Sequence, residues 1–388
     1  MTKEKRILIS GGGIGGSALA YFLKQYGFAP VVIDSAPEFK HLGYLLALNA
    51  QISQKVAEKM DILPELRKFE VPLTRSTLLD QYGKVITSFE VDHATHNKRV
   101  GMMMNRADLH QTLYNTIKGK VDFRFNESIE SIIDNEKDVT VTFTSGKKDT
   151  FDLVIGVDGV HSKTRKLVFG EGFEKPLGQA YFAFTTKNRL GEPIALSNEA
   201  VAIRAEGFTL AYHMLQGDLV GGYVFHDELP GELLLPKERR SFMLKKYAWA
   251  NEKFKRILDS MSDDDPIFHD GFTQIDMPKW YKGRVCLLGD AASCPTPASG
   301  VGASMALAGA YVLAKYLAEN DSHEKAFVDY DTYLRPIINK AHKMARSQAG
   351  LASGKSFISY GFTNALLKLL PISLISRLHS HEIDMPLP

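Results

Sequence analysis

The sequence predicts an α/β chain: a parallel sheet flanked by helices, an antiparallel β-sheet inserted into it, and a helical segment at the C-terminus. Three observations predict it. A strand, a Gly-rich turn, a helix and a second strand fill the first 34 residues, and aromatic strands alternate with Gly, Asp and Asn turns from about 178 to 273. The strand-then-helix texture then returns after Gly283, so the first domain is discontinuous.

Taken in order, Lys5–Ser10 (KRILIS) is a short β-rich run, followed by Gly11 to Gly16 and by SALAYFLKQYG, whose apolar residues recur at helical spacing. Gly27 ends that helix as a C′ residue, and Pro30–Asp34 (PVVID) is a second apolar strand that closes a βαβ unit. Val71–Val91 alternates apolar and polar residues around Tyr82-Gly83-Lys84, a hairpin signal, and Arg106–Ile117 returns to helical period. Thr140–Thr144 and the run Phe151–Asp158 (FDLVIGVD) read as strands. AYFAFTT, FTLAYHM and GGYVF belong to the inserted sheet, after which RVCLLGD is a strand and a long helix begins near Gly302. The expected domains are therefore 1–71 with 97–177 and 274–335, then 72–96 with 178–273, and finally C-terminal helices over 336–388. There is no internal repeat.

Composition narrows the function. The 388 residues carry 47 basic and 45 acidic side chains, a net +2, with 44% apolar and 24% charged residues. That is enough chain for about two domains of roughly 100–200 residues each, and it excludes a disordered, collagen-like or disulfide-scaffold protein. No run of five or six like charges offers nucleic acid or an anionic membrane a field to follow, so a small-molecule substrate is expected. The start MTKEKRILIS leads straight into a strand, and the only cysteines are Cys286 and Cys294, from which a cytoplasmic protein is expected. The apolar stretch 301–318 is rich in Gly and Ala and contains Lys315, which makes it a buried helix and not a membrane span. The stretch 362–378 is apolar too, but is interrupted by Pro371.

Gly11-x-Gly13-x-x-Gly16 has the spacing in which the first Gly makes a tight turn, the second admits a pyrophosphate and the third lets helix pack on strand. The helix start beyond it, from Ile14 and Gly15, offers free N–H groups to the phosphate. Asp34, followed by Ser35, ends the second strand 23 residues after Gly11, where an acid holds a ribose hydroxyl pair. This points to a dinucleotide. The loop alone leaves NAD and FAD both open.

Two later turns complete a pattern. Asp158-Gly159 in DLVIGVDGVHSKTRKLV, Gly289-Asp290 in GRVCLLGDAASCPTPASGVGASMAL, the N-terminal loop and Arg106 in NRADLHQTL together resemble the four marks of class A flavin-dependent monooxygenases, the para-hydroxybenzoate hydroxylase-like fold. The resemblance spans essentially the whole chain. It implies a Rossmann-like FAD-binding domain with bound FAD, reduced by NADPH or NADH that docks transiently. Oxygen would then form a flavin C4a-hydroperoxide that attacks an electron-rich phenol or enol, so no catalytic side chain is assigned. By the same resemblance Arg106 and Asp158 reach the FAD, Asp290 accepts a ribityl hydroxyl, and Pro297, Gly300, Val301 and Gly302 aim a helix start at the flavin's pyrimidine edge. Arg165 resembles a structural partner for a carboxylate. The chain departs from the family's usual residues at Asp34-Ser35, where many members have Glu-Arg, and at Ser293, Thr296 and Pro297, where many have His and a Pro-Pro pair.

No HExxH, Cys-x-x-Cys or Gly-x-Ser-x-Gly is present, and no metal is expected. His213, His226 and His269 read first as structural imidazoles. Arg204, His213 and Phe225 lie in the inserted sheet and are the candidates for substrate contact, while Tyr212 takes the opposite face of its strand from His213. Length, the aromatic sheet and the tail beyond Arg335 are most similar to the tetracycline-inactivating branch, the tetracycline destructases. That resemblance implies a tetracycline substrate, a monomer, and a helix over 355–380 that crosses the active-site mouth, packs on the nucleotide domain or attaches to a membrane surface. A hydroxylase of another phenolic or polyketide aromatic, and a non-catalytic FAD-binding escort protein, remain open alternatives. A halogenase is disfavoured, because Trp249 and Trp280 stand far apart.

Overall fold

A computed structural model of the protein describes residues 4–39, 43–48, 51–90, 102–196, 198–227, 233–353 and 386–388. The N-terminal apolar runs form a parallel sheet. Its strands stand in the spatial order Tyr281–Lys282, Val285–Leu287, Leu153–Gly156, Arg6–Ser10, Ala29–Ile33 and Asp122–Arg124, parallel except for the hairpin at the first edge. Ile7, Leu8 and Ile9 are all fully buried, so both faces of the central strand are covered. That is why the strand reads as a continuous apolar run and not as an alternation.

Helices Ile14–Gln25 and Gly302–Glu319 pack on this sheet and on each other. The second is rich in Gly and Ala, and Leu307, Val312 and Leu313 along it are fully buried. Among the described residues no helix is long and apolar enough to cross a membrane. The run Phe151–Asp158, expected as one strand, is two: Lys148–Phe151 closes a three-stranded antiparallel sheet and Leu153–Gly156 enters the parallel one. Asp152 divides them. Its carboxylate accepts the Arg6 amide at 2.7 Å while its own amide donates to the Arg6 carbonyl at 2.9 Å, so this residue is tied to backbone inside an otherwise apolar run.

The second large sheet has the order Ile267–Ile275, Glu174–Lys187, Leu219–His226, Phe208–Leu215, Glu199–Ala205, Arg75–Asp80 and Val85–Glu90. The hairpin expected around Gly83 is its outer pair, with Gly83 at φ +78°. One join, Glu199–Ala205 against Arg75–Asp80, is parallel, so the sheet is antiparallel except where these distant segments meet. Strand residues alternate between faces. One face, carrying Phe182, Phe184, Tyr212 and Val224, is covered by helices Pro236–Lys246 and Glu252–Ser260 through Met243, Tyr247 and Phe254. The opposite face meets the segment Gly43-Tyr44, and helix His323–Ser353 also packs against this sheet.

Helix His323–Ser353 runs continuously through Pro336 and is bolted to its neighbours. Gln274 donates to the His342 carbonyl at 2.9 Å and accepts from Arg346 at 2.9 Å, and the His342 ring lies 3.2 Å from the Ser293 carbonyl. The segment 355–380, for which a helix near the active-site mouth is expected, lies outside the described residues.

Phe182 is fully buried and stacks on His269 at 4.2 Å with an interplanar angle of 6°. Phe182→Ala removes this ring from the helix-covered face and is expected to cost about 3–5 kcal/mol in urea unfolding. A loss under about 1 kcal/mol would show that this face is not a packed core.

Candidate cofactor and substrate site

The glycines of the first turn divide into two kinds. A Cβ on Gly11 would stand 2.4 Å from the Val157 carbonyl oxygen, one on Gly16 would stand 1.9 Å from the Gly11 carbonyl oxygen, and one on Gly15 would stand 2.9 Å from Leu288. These three positions exclude side chains because strand and helix touch there. Gly13 is different. Its Cβ would meet nothing within 4 Å, and its φ of −66° is open to any residue. Open space therefore lies over the start of helix Ile14–Gln25, where no side chain caps the N-terminus and no acid sits in the first turn. A helix start left in this state favours an anion. The cradle fits a pyrophosphate.

Asp34 supports the turn directly. Its two carboxylate oxygens accept the Gly12 and Ala36 amides, each at 2.8 Å. The Gly12 carbonyl accepts the Ser17 hydroxyl at 2.8 Å and lies 2.9 Å from His110 Nε2. Ser35 is exposed beside them.

Arg106 opens helix Arg106–Ile117, which Asn105 caps by accepting the Ala107 amide at 2.9 Å. Gly43 must be a glycine here, since a Cβ would fall 1.8 Å from the Asn105 side-chain oxygen. The segment Gly43-Tyr44 is pinned from both sides: Tyr44 O accepts the Arg106 amide at 2.8 Å and Gly43 O accepts the Thr185 hydroxyl at 2.8 Å. Arg106 is thereby carried to the junction between the two layers, opposite Asp290.

Asp290 follows Gly289, at φ +62°, and faces open space while ringed by protein. Burial raises its carboxyl above the usual range, and the Arg106 guanidinium partly offsets this. Pro297 and Gly300 are exposed to the same space, with Gly302 half-buried and Val301 fully buried behind them. Helix Gly302–Glu319 starts there with no side-chain cap, so its positive end is available. Asp158 differs from these: its carboxylate accepts the Ser162 and Thr164 hydroxyls and the Thr164 amide, anchoring the start of helix Lys163–Phe169. Arg165 is buried and donates to Glu174 at 2.8 Å and to the carbonyls of Val160 and Ala291.

Arg204, His213 and Phe225 share one face of the large sheet. Arg204 stands opposite Thr209, and Thr209 opposite Phe225. His213 lies four residues beyond Thr209, about 13 Å along the strand. Tyr212 is on the helix-covered face, as its alternation with His213 requires. The face holding the three candidates is the one met by Tyr44, whose phenol lies within electrostatic reach of Arg106 and Asp290. Tyr181, Tyr223, Phe225 and Phe268 form an aromatic wall on it, and Tyr44 meets that wall edge-on at 5.3 Å from Phe268 and 6.4 Å from Tyr181. Burial raises the Tyr44 and Tyr223 phenols, and both residues are half-buried on this wall.

His213 is buried, and desolvation pushes it down to about 4, so it is neutral near pH 7. Among the described residues its Nε2 has no hydrogen-bond partner, and the ring lies over Gly221, where a Cβ would be 2.4 Å from Nε2. His226 and His269 lie on the covered face. His269 is also pushed down to about 4 by burial, and its Nδ1 accepts the Leu234 amide at 3.2 Å. Sequence reasoning missed Tyr44, Tyr181, Tyr223, Ser17 and His110. The two sheet tyrosines share Phe225's side by simple alternation or register, whereas Tyr44 sits in a segment with no periodic signal.

Comparison with known proteins follows the same lines. Residues 4–188 and 269–344 match the FAD binding domain family. The chain is 31% identical over 366 residues to a flavin-dependent monooxygenase of an unknown prokaryotic organism, covering 92% of this chain and 91% of that one. It is 30% identical to a flavin-dependent monooxygenase of Legionella longbeachae, covering 88% of both chains. Among solved structures it is similar to tetracycline destructase Tet(51), at 25% identity, TM-score 0.78 and full coverage of both chains. Klebsiella pneumoniae HpxO, solved with FAD and uric acid, shares the fold at 20% identity and TM-score 0.83, over 97% of this chain and 96% of that one. The chain belongs to the class A FAD-dependent monooxygenases. It is a flavoprotein oxidoreductase that binds FAD, and an enzyme, which removes the non-catalytic escort alternative.

The two kinds of glycine separate in mutants. Gly13→Val is expected to leave the unfolding midpoint of the apoprotein within about 1 °C while abolishing the yellow colour, because only the cofactor uses that space. Gly16→Val should fail to fold, and a folded, yellow Gly16→Val protein would contradict the packing described. Between the layers, His161 donates to Asp270, which raises the imidazole above its usual pKa. A raised pKa in the folded state stabilises below about pH 6.5, and the contribution is lost as pH rises through the folded value. The midpoint difference between wild type and Asp270→Asn should therefore shrink from pH 5.5 to pH 8.5, and a constant difference would exclude the pair as its source.

Proposed function

We propose that this enzyme uses NADPH or NADH and O2 to hydroxylate and so inactivate a tetracycline. The observation that carries the reading is the aromatic wall of Tyr44, Tyr181, Tyr223, Phe225 and Phe268, whose Tyr44 also lies within electrostatic reach of Arg106 and Asp290. A flat, polycyclic, largely enolised molecule suits such a wall, because offset and edge-on ring contacts add about 0.5–1.5 kcal/mol each beyond burial. The full-length likeness to Tet(51), at 25% identity, supports the same substrate.

In this reading Gly11, Gly13, Ile14, Gly15 and Gly16 hold the pyrophosphate, Asp34 and Ser35 the adenosine ribose, and Arg106 and Asp158 support the FAD from the neighbouring loops. Asp290 accepts a ribityl hydroxyl. Pro297, Gly300, Val301 and Gly302 bring the uncapped helix start to the pyrimidine edge of the ring, where its positive end stabilises negative charge. When bound, FAD supplies the activation of O2, with electrons drawn from the nicotinamide. The chain's own residues place and dry the substrate. Phe225 and its aromatic neighbours exclude water and orient the ring plane. Arg204, buried and always charged, favours an enolate or phenolate oxygen, and neutral His213 can direct a hydrogen bond without adding charge.

The division into 1–71 with 97–177 and 274–335 for FAD, 72–96 with 178–273 for substrate, and 336–388 for the C-terminal helices is part of this proposal, as is a cytoplasmic monomer. Another phenolic or polyketide aromatic is the second reading.

The test is direct. Purified yellow protein should consume NADPH in air faster with tetracycline than without, and mass spectrometry should find a product heavier by one oxygen. Consumption indifferent to tetracycline, with no oxygenated product, would reject the tetracycline reading and move the substrate to another phenol.

A further inference from the structure

We propose that His110 is a positioning residue for the FAD pyrophosphate, acting through the Gly12–Gly13 peptide; the inference rests on FAD being the nucleotide this turn holds. In a trans peptide the carbonyl of one residue and the amide of the next point in opposite directions. The structure contains no cis peptide bond among the described residues, so the Gly12 carbonyl fixes the direction of the Gly13 N–H. That carbonyl is held inward by two donors from separate helices, Ser17 Oγ at 2.8 Å and His110 Nε2 at 2.9 Å. The Gly13 N–H therefore points away from Ser17 and His110, and at Gly13 itself an added Cβ would meet nothing within 4 Å, so the turn is open beside that residue. This is the space the pyrophosphate would take.

The peptide before it is fixed as well. Asp34 accepts the Gly12 N–H at 2.8 Å, so two successive peptide planes are set by side chains and not by the glycine backbone, which is free to rotate. His110 contributes what neither Asp34 nor Ser17 can. It reaches the turn from helix Arg106–Ile117, one helical turn beyond Arg106, and its ring is held against Phe39 at 4.6 Å. The carbonyl can only accept, so Nε2 carries the hydrogen. That donor is present in both the neutral and the protonated ring, and the clamp survives across the imidazole titration. The helix that begins at Arg106 is therefore tied to the phosphate turn, and the two parts of the cofactor site hold each other in register.

The experiment compares His110→Leu, which removes the donor, with His110→Gln, whose side-chain amide reaches about as far. FAD and ADP affinities are measured on apoprotein by fluorescence and calorimetric titration, alongside the unfolding midpoint of the apoprotein. Losing a hydrogen bond that orients a charged contact is worth about tenfold in affinity. His110→Leu should weaken both FAD and ADP by about tenfold with the apoprotein midpoint unchanged, and His110→Gln should recover wild-type affinity to within about threefold. Wild-type affinity in His110→Leu would overturn the proposal. Equal weakening in both variants, or a loss that tracks a fall in the midpoint, would also overturn it by showing packing in place of hydrogen bonding. If the wild-type apoprotein takes up no FAD, the cofactor reading fails first, and the wild-type titration reveals that separately.

Discussion

The site depends on a contact too short for any side chain. At Gly16 the first turn of a helix rests on the carbonyl of Gly11, and an added Cβ would lie 1.9 Å from that oxygen. Helix start and strand end are brought together by the absence of side chains on the inner side. On the outer side, at Gly13, there is room. The six residues Gly11 to Gly16 thus build a surface dense toward the protein and open toward a ligand, and the helix N-terminus supplies the attraction for an anion without any charged residue in the turn.

The second constraint is the assignment of faces on the large sheet. Helices Pro236–Lys246 and Glu252–Ser260 bury one side with Met243, Tyr247 and Phe254. The other side carries the aromatic wall, which Tyr44 meets edge-on, and helix His323–Ser353 also packs against the sheet. The short segment Gly43-Tyr44 sets the distance between the two layers, because Thr185 holds one residue and the Arg106 amide the other. Its glycine is demanded by the cap of a different helix, through Asn105. The aromatic wall and the start of helix Arg106–Ile117 are thereby fixed to each other by a few hydrogen bonds to backbone, each worth about 1 kcal/mol on its own.

Much of this was legible in the residues. The helix Arg106–Ile117 and the turn at Gly83 stand where periodicity and turn chemistry put them, and the strand before Gly11 stands within a residue of its reading. Their signals are local, since each depends on neighbours within a few positions. Arg204, His213 and Phe225 were readable as members of one sheet, but the face they share follows from pairing between strands, and which face the helices cover is a tertiary fact. The Phe151–Asp158 run misled because two strands of different sheets abut with only Asp152 between them. Tyr44 and His110 were invisible for another reason. A tyrosine in an irregular segment and a histidine on an amphipathic helix acquire meaning only from Phe268 on one side and the Gly12 carbonyl on the other.

A crystal structure of the FAD complex, through difference density for the cofactor, shows whether turn and aromatic wall hold the two ends of one molecule. The pyrophosphate is expected against the Gly13 amide and the flavin ring between the Asp290–Gly302 loop and the face carrying Tyr181 and Phe225. Density placing the ring away from that face, or the pyrophosphate away from the start of helix Ile14–Gln25, would contradict it.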